Sequence, residues 1–349
     1  MICQSCDRVP PIQDRGIIWL ITRSLSSRLQ LNTIFTQNQW LAESSDRSKL
    51  PLYYESRAQL IEYLNLLIEL LSPEFQAGIQ IEIEDESDSV HPASRFQLES
   101  FAARVKHYDL VRIISDNRFG SHMQPIVDIN SMQIVAYEFL LRPAEGQTPF
   151  HPYQLFEVAQ QCGLHSFLDR SARISAIQTS ALHLKKGIKR FINFLPSSIY
   201  NPNYCLSHTF EAIDRYHQDP HDFVFEVVET EKISEVAHLK NIFKVYKEHG
   251  IQVALDDVGA GYSTLEVLAE LKPDYVKIDR DLVSYCDQDD KKKRLISDII
   301  TCAHSFGATV LAEGMERKEE LAFCQSQQVT LAQGYLFGKP SSSPLPDHT

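Results

Sequence analysis

From about residue 107 onward, short apolar runs alternate with helical segments, and this rhythm constrains the fold more than any other feature. The runs are "MQPIVDI", "QIVAYEFLL", "KRFINFL", "DFVFEVVE", "GIQVALDD", "YVKID", "ATVLAEG" and "VTLAQGYLF". Between most of them lie helical patterns. "KKKRLISDIITCAHSFG" places Ile296, Ile299, Ile300, Ala303 and Phe306 on one face and stops at Gly307. "STLE" reads as a capping box from Ser263 to Glu266, and that helix ends before Pro273. About eight strands in roughly 240 residues is the size and rhythm of a (β/α) barrel. Only "NSM" separates the first two, which read as a hairpin, so the barrel is not regular throughout. The expected fold class is α/β, a TIM-type (β/α) barrel over 107–349 with one antiparallel strand.

Residues 1–106 read differently, as a small α+β domain of regulatory or docking character. "RGIIWLITR" and "LPLYYES" are strand-like, and "LSSRLQLNTIF" has helical spacing. "RAQLIEYLNLLIELL" is an amphipathic helix with Leu60, Leu64, Leu67 and Leu71 on one face. "AGIQIEIEDE" alternates as a half-buried strand does. A βαββαβ order is expected. "EDESDSVHPAS", 84–94, is expected to be a linker, and "FQLESFAARVKHYDLVRII" a helix leading into the barrel.

Composition limits the function classes. A hydrophobic fraction of 43% and a charged fraction of 23% are those of a globular protein. The formal net charge of -12 argues against a non-specific grip on duplex nucleic acid or an anionic membrane. The longest apolar stretches, "GIIWLI" and "LNLLIELL", fall well short of the roughly 20 residues that span a bilayer. No signal sequence is evident, so a cytoplasmic location is expected. Seven irregularly spaced cysteines fit a reducing compartment. Only Cys3 and Cys6, in "CQSC", have ligand-like spacing, and no second pair completes a structural zinc site.

Polar residues recur near the C-terminal ends of the strands: Glu138, Asn193, Glu226, Asp256 with Asp257, Lys277, Glu313 and Gln333. Each alone has an ordinary explanation, such as a solvated edge, a turn or a helix cap. In a (β/α) barrel, however, those ends converge on the face that carries the active site. Carboxylates gathered there repel one another unless a cation compensates them. Oxygen donors and an amide suit a hard divalent ion, Mg2+ or Mn2+. Five carboxylates exceed what one such ion takes from protein, and a pair of ions about 3.5–4 Å apart would use them. In "VALDDVGAGYSTL", Asp256 would end its strand facing the mouth, while Asp257 turns with a glycine-containing loop toward the second ion.

With these motifs in place, residues of about 115–340 resemble the EAL-domain family, phosphodiesterases that linearise cyclic di-GMP. "QPIVDI" with "AYEFLLR" resembles the opening of that domain, its signature being Glu138-Phe139-Leu140 here. "FINFLP", "FVFEVVETE", "LDDVGAGYSTL", "VKID", "AEGME" and "QGYLFGKP" resemble its later motifs. The resemblance implies that Glu138, Asn193, Glu226 and Asp256 hold one metal, and Asp256, Asp257 and Glu313 the second. It assigns Lys277 to the attacking water or the phosphate charge, and Gln333 to another water or the metal shell. Glu313 enters the catalysis as well. Glu229 would hold the Asp-Asp loop and link it to dimerisation. Gln124, Leu140 and Arg142 would contact cyclic di-GMP. The implied reaction is hydrolysis to linear pGpG by a water activated by two metals, in a homodimer whose N-terminal domain senses or docks a protein partner. The alternative is a non-catalytic cyclic di-GMP receptor signalling through that domain. Phe139, Leu195, Val258 and Ala260 depart from the family pattern. Because side chains alternate along a strand, Phe139 should face the helix layer when Glu138 faces the mouth.

Overall fold

The computed structural model describes residues 9–40, 46, 48–83, 94–227, 236–259 and 265–346. Its contacts divide the chain into two units, one of residues 1–118 with 151–167, the other of 119–150 with 168–349. Cys3, Cys6 and nearly all of the expected linker, 84–93, lie outside the described residues.

The first unit runs β1 (Gly16–Ile21), α1 (Leu25–Gln37), β2 (Lys49–Tyr54), α2 (Arg57–Leu70), α3 (Pro73–Ala77), β3 (Gln80–Ile83), β4 (Ser94–Gln97), α4 (Leu98–Lys106) and α5 (Tyr108–Ser115). The Ser56 hydroxyl caps α2 by accepting from Gln59 N–H at 3.1 Å. Leu60, Leu64, Leu67 and Leu71 are buried as their spacing requires. Each contributes about 1.5–3 kcal/mol from burial. The sheet is antiparallel in the order β2-β1-β3-β4. Pairings such as Ile18 with Leu52 and Leu20 with Ile81 set one apolar face toward the helices. On the other face the buried Glu82 meets both Lys49 and Arg95.

The order is not βαββαβ: one strand, not two, separates α1 from α2, and a further strand, β4, follows β3. The helix expected from Phe96 onward instead begins as β4 and then breaks at His107 into α4 and α5.

The second unit follows with β5 (Phe119–Asp128), β6 (Gln133–Pro143), α6 (Pro152–Gln161, grouped with the first unit), α7 (His165–His183) and β7 (Lys189–Phe194). Then come α8 (Pro202–Cys205), α9 (Ser207–Arg215), β8 (Phe223–Val227), α10 (Val236–Glu248), β9 (Gln252–Val258), α11 (Leu265–Leu271) and β10 (Tyr275–Ile278). The chain ends with α12 (Arg280–Val283), α13 (Asp290–Ser305), β11 (Thr309–Ala312), α14 (Lys318–Ser326) and β12 (Leu331–Gln333). The eight strands β5 to β12 close into a barrel. Only β5 is antiparallel to its neighbours, β6 and β12. Asp128 accepts from the backbone of Asn130 and Ser131 to tighten the hairpin turn. Among the described residues no helix is long and apolar enough to cross a membrane.

Strand alternation splits the second unit's apolar residues into two cores. Tyr137, Phe139, Ile192, Phe225, Val253 and Val276 face outward against the helices. Ile126, Ala136, Phe191, Val224, Ala254, Tyr275, Leu311 and Leu331, one from each strand, fill the barrel interior. Phe139 thus packs in the helix layer, as expected.

Candidate active site

Two residues toward the mouth from each member of the interior apolar layer stands a polar residue: Gln124, Glu138, Asn193, Glu226, Asp256, Lys277, Glu313 and Gln333. A period of two returns the chain to the same face, so the eight share the barrel axis as the apolar layer does. Seven of the eight strand-end residues singled out in the sequence, all but Asp257, are therefore gathered by the barrel's own geometry.

The Lys277 ammonium is fully buried at the centre. It lies 2.6 Å from Glu313 Oε1, 2.8 Å from Glu226 Oε2, 3.0 Å from Asp256 Oδ2 and 3.9 Å from Glu138 Oε1. These are ion-pair distances without hydrogen-bond angles, and neither Lys277 Nζ nor the Glu226 oxygens have a hydrogen-bond partner. Around them, Gln333 Nε2 donates to Glu138 Oε2 at 2.6 Å and Asn193 Nδ2 donates to Glu138 Oε1 at 3.2 Å. Gln124 Nε2 donates to the Gly338 carbonyl at 3.2 Å.

Burial dominates the electrostatics. It pushes the Glu226 and Glu313 carboxyls well above the usual carboxylate range and raises Asp256, each against the pull of Lys277. Burial opposes ionisation of Glu138 too, but Lys277 and the Gln333 amide outweigh it and its carboxyl lies below its ordinary value. Burial also disfavours the Lys277 ammonium, yet Asp256, Glu138, Glu226 and Glu313 together hold it well above the usual lysine range. One lysine does not neutralise four carboxylates.

Asp256, Asp257 and Glu313 each offer an oxygen, all within 4.8 Å of one another. Asp257 reaches this position from a left-handed backbone, φ 51°, and its N–H donates to Asp256 Oδ1 at 2.9 Å. Backbone strain in a non-glycine residue recurs at functional sites. All-oxygen donors and four carboxylates gathered around a single lysine fit a hard divalent cation. Leu140 and Arg142 stand beyond the rim, where β6 outruns its pairing with β7. Arg142 donates to the Leu141 carbonyl at 2.7 Å. Glu229 and Ser263 lie outside the described residues.

Sequence reasoning passed over Asp169. This buried α7 carboxylate accepts from Leu195 N–H at 2.9 Å and from the Ser198 hydroxyl at 2.5 Å, fixing the turn that leaves β7 just after Asn193. Its signal was an Asp four residues before an Arg within an otherwise core-facing helix: Arg173 pairs with it at 3.1 Å.

The EAL domain family model matches residues 108–340. PdeG of Escherichia coli, a probable cyclic di-GMP phosphodiesterase, is 29% identical over 240 residues, which span 66% of this chain and 46% of that protein. BluF, a blue light- and temperature-regulated antirepressor of the same organism, is 28% identical over 300 residues, 86% of this chain and 70% of that protein. A standalone EAL protein from Vibrio cholerae, solved in its c-di-GMP-bound form, is 32% identical with a TM-score of 0.58 and covers 64% of this chain and 93% of its own. Since the family model takes in every strand of the barrel and each polar residue of its mouth, the chain belongs to the EAL domain family.

Proposed function

We propose that the chain hydrolyses cyclic di-GMP to linear pGpG with two divalent cations, Mg2+ or Mn2+. The ring of oxygen donors around a buried lysine carries this reading. Glu138, Asn193, Glu226 and Asp256 would hold one cation, and Asp256, Asp257 and Glu313 the other. When bound, the cations supply Lewis-acid charge to the phosphate and make water a competent nucleophile near neutral pH.

The chain's own residues do the rest. Gln124, Leu140 and Arg142 bind the dinucleotide, the Arg142 fork being suited to a phosphate. Lys277 holds the attacking water against the phosphorus or meets charge developing on the phosphate. Glu313, the carboxylate nearest Lys277, would take the water's proton. The water oxygen bonds to one phosphorus as its bond to the 3′ oxygen breaks, and that oxygen gains a proton. Gln333 steadies Glu138 and orders a second water. Glu229 is assigned from the family pattern alone. The active form would be a cytoplasmic homodimer, with residues 1–106 sensing or docking a partner.

The pure chain incubated with cyclic di-GMP and Mg2+ or Mn2+ should yield pGpG, read by chromatography. No turnover with either ion overturns the proposal. The similarity to an antirepressor over 86% of the chain favours one alternative, a receptor that binds cyclic di-GMP without cleaving it. Tight binding without product would select it.

A further inference from the structure

Above the ring of eight polar residues, β5 and β6 run on as a two-stranded arm. β12 pairs with β5 no further than Ile126, and β7 pairs with β6 no further than Phe139. Beyond those points β5 and β6 keep pairing with each other, His122 opposite Leu140 and Gly120 opposite Arg142. Ser341 braces this arm by exchanging backbone hydrogen bonds with Met123, 2.7 and 3.1 Å. Gln124 and Glu138 are opposite one another and face the axis, so one pleat outward His122 and Leu140 face the same way. His122, Leu140 and Arg142 are half-buried, whereas the alternate residues Ser121 and Met123 are buried. At about 3.4 Å per residue, His122 lies about 7 Å along its strand from the carboxylate layer and Arg142 about 14 Å.

We infer that His122 reads a guanine base of the bound dinucleotide and so sets the nucleobase specificity of the site. The assignment rests on the cyclic di-GMP reading of the mouth. A base joined through one ribose to a phosphate at the carboxylate layer reaches the next layer outward, where His122 lies. The imidazole is not a second phosphate anchor, because partial burial and the charge of Arg142 hold it below the usual histidine range and leave it neutral at pH 7. A neutral imidazole N–H donates to an acceptor, and of guanine's two acceptors on that edge, N7 and O6, only O6 is absent from adenine. Adenine puts an amino group where O6 would be. Sites that hydrogen-bond a specific group discriminate strongly against analogues lacking it.

The test is calorimetric titration of the full chain with cyclic di-GMP and with cyclic di-AMP, in EDTA to prevent metal-dependent hydrolysis and again with Mg2+. Thermal melts check that each variant folds. His122→Ala should weaken cyclic di-GMP at least tenfold while moving cyclic di-AMP by less than twofold. His122→Gln, which restores a donor, should recover part of the loss. Cyclic di-GMP bound by the wild type and by His122→Ala within twofold overturns the assignment and leaves the functional reading standing. An equal loss for both dinucleotides also overturns it. A wild type that binds neither dinucleotide removes the functional reading itself, and the assignment with it.

Discussion

A β-carbon on Gly334 would lie 2.1 Å from the Met315 carbonyl oxygen and 2.2 Å from its nitrogen. Both are backbone atoms and neither can yield by rotation. Gly334 therefore sets how closely the end of β12, with Gln333, approaches the loop that carries Glu313. Gly334→Ala should cost about 2–3 kcal/mol, as overpacking does. Turnover should fall by more than the fraction unfolded accounts for, because either the Gln333–Glu138 bond or the placement of Glu313 must give way. Denaturant titration and steady-state kinetics check both effects. Stability within about 0.5 kcal/mol of wild type and normal kcat would show that the approach is not needed. The positions of Glu138, Asn193 and Lys277 on the barrel axis were readable from sequence because a strand's period of two fixes which side chains face it. Gly334 was not, because its partner Met315 comes from the preceding strand–helix connection, and nothing local in "AQGY" marks that approach.

Among the elements, α7 is held to the barrel by charge as well as by packing. Asp169 grips the turn after β7, while its partner Arg173 donates to Thr209 at 3.0 Å and to the Tyr246 hydroxyl at 3.5 Å. All of these groups are buried. Asp169→Ala leaves the Arg173 charge buried without its counter-ion and should cost about 3–5 kcal/mol. Thr209→Val removes one neutral acceptor from the same network and should cost about 1 kcal/mol. Equal losses in chemical denaturation would mean that the ion pair adds nothing beyond a hydrogen bond. Most elements were legible because their periodicity was strong: the eight barrel strands, α2 and α13 all lie where their patterns put them. The first unit's order was misjudged at its weakest signals. β4 is the half-polar tetrapeptide Ser94-Arg95-Phe96-Gln97, paired only along β3, and its strand character comes from that partner. The His107 break carries neither Gly nor Pro, so no local signal separates α4 from α5.

For the molecule as a whole, charge sets a condition on how the ligand arrives. The chain carries a formal -12, and cyclic di-GMP, with two phosphodiesters, carries -2. Two divalent cations in the mouth would reduce the protein's charge to about -8, leaving the long-range field repulsive to the ligand it is proposed to bind. With charges of -12 and -2 at a separation of about 25 Å, the repulsion in salt-free water is about 4 kcal/mol, and with both cations in place about 2.7 kcal/mol. A Debye length of about 10 Å at 0.1 M salt removes most of it, while Arg142 and the cations act at close range, where screening is weaker. Raising ionic strength from about 10 to 150 mM at fixed Mg2+ should therefore speed association several-fold, opposite to the usual behaviour of a steered anion site. Stopped-flow binding with a fluorescent cyclic di-GMP analogue gives the rate constants directly. An association rate that falls with salt would mean that a local basic field around Arg142 governs capture and that the acidity of the whole chain is only a matter of solubility.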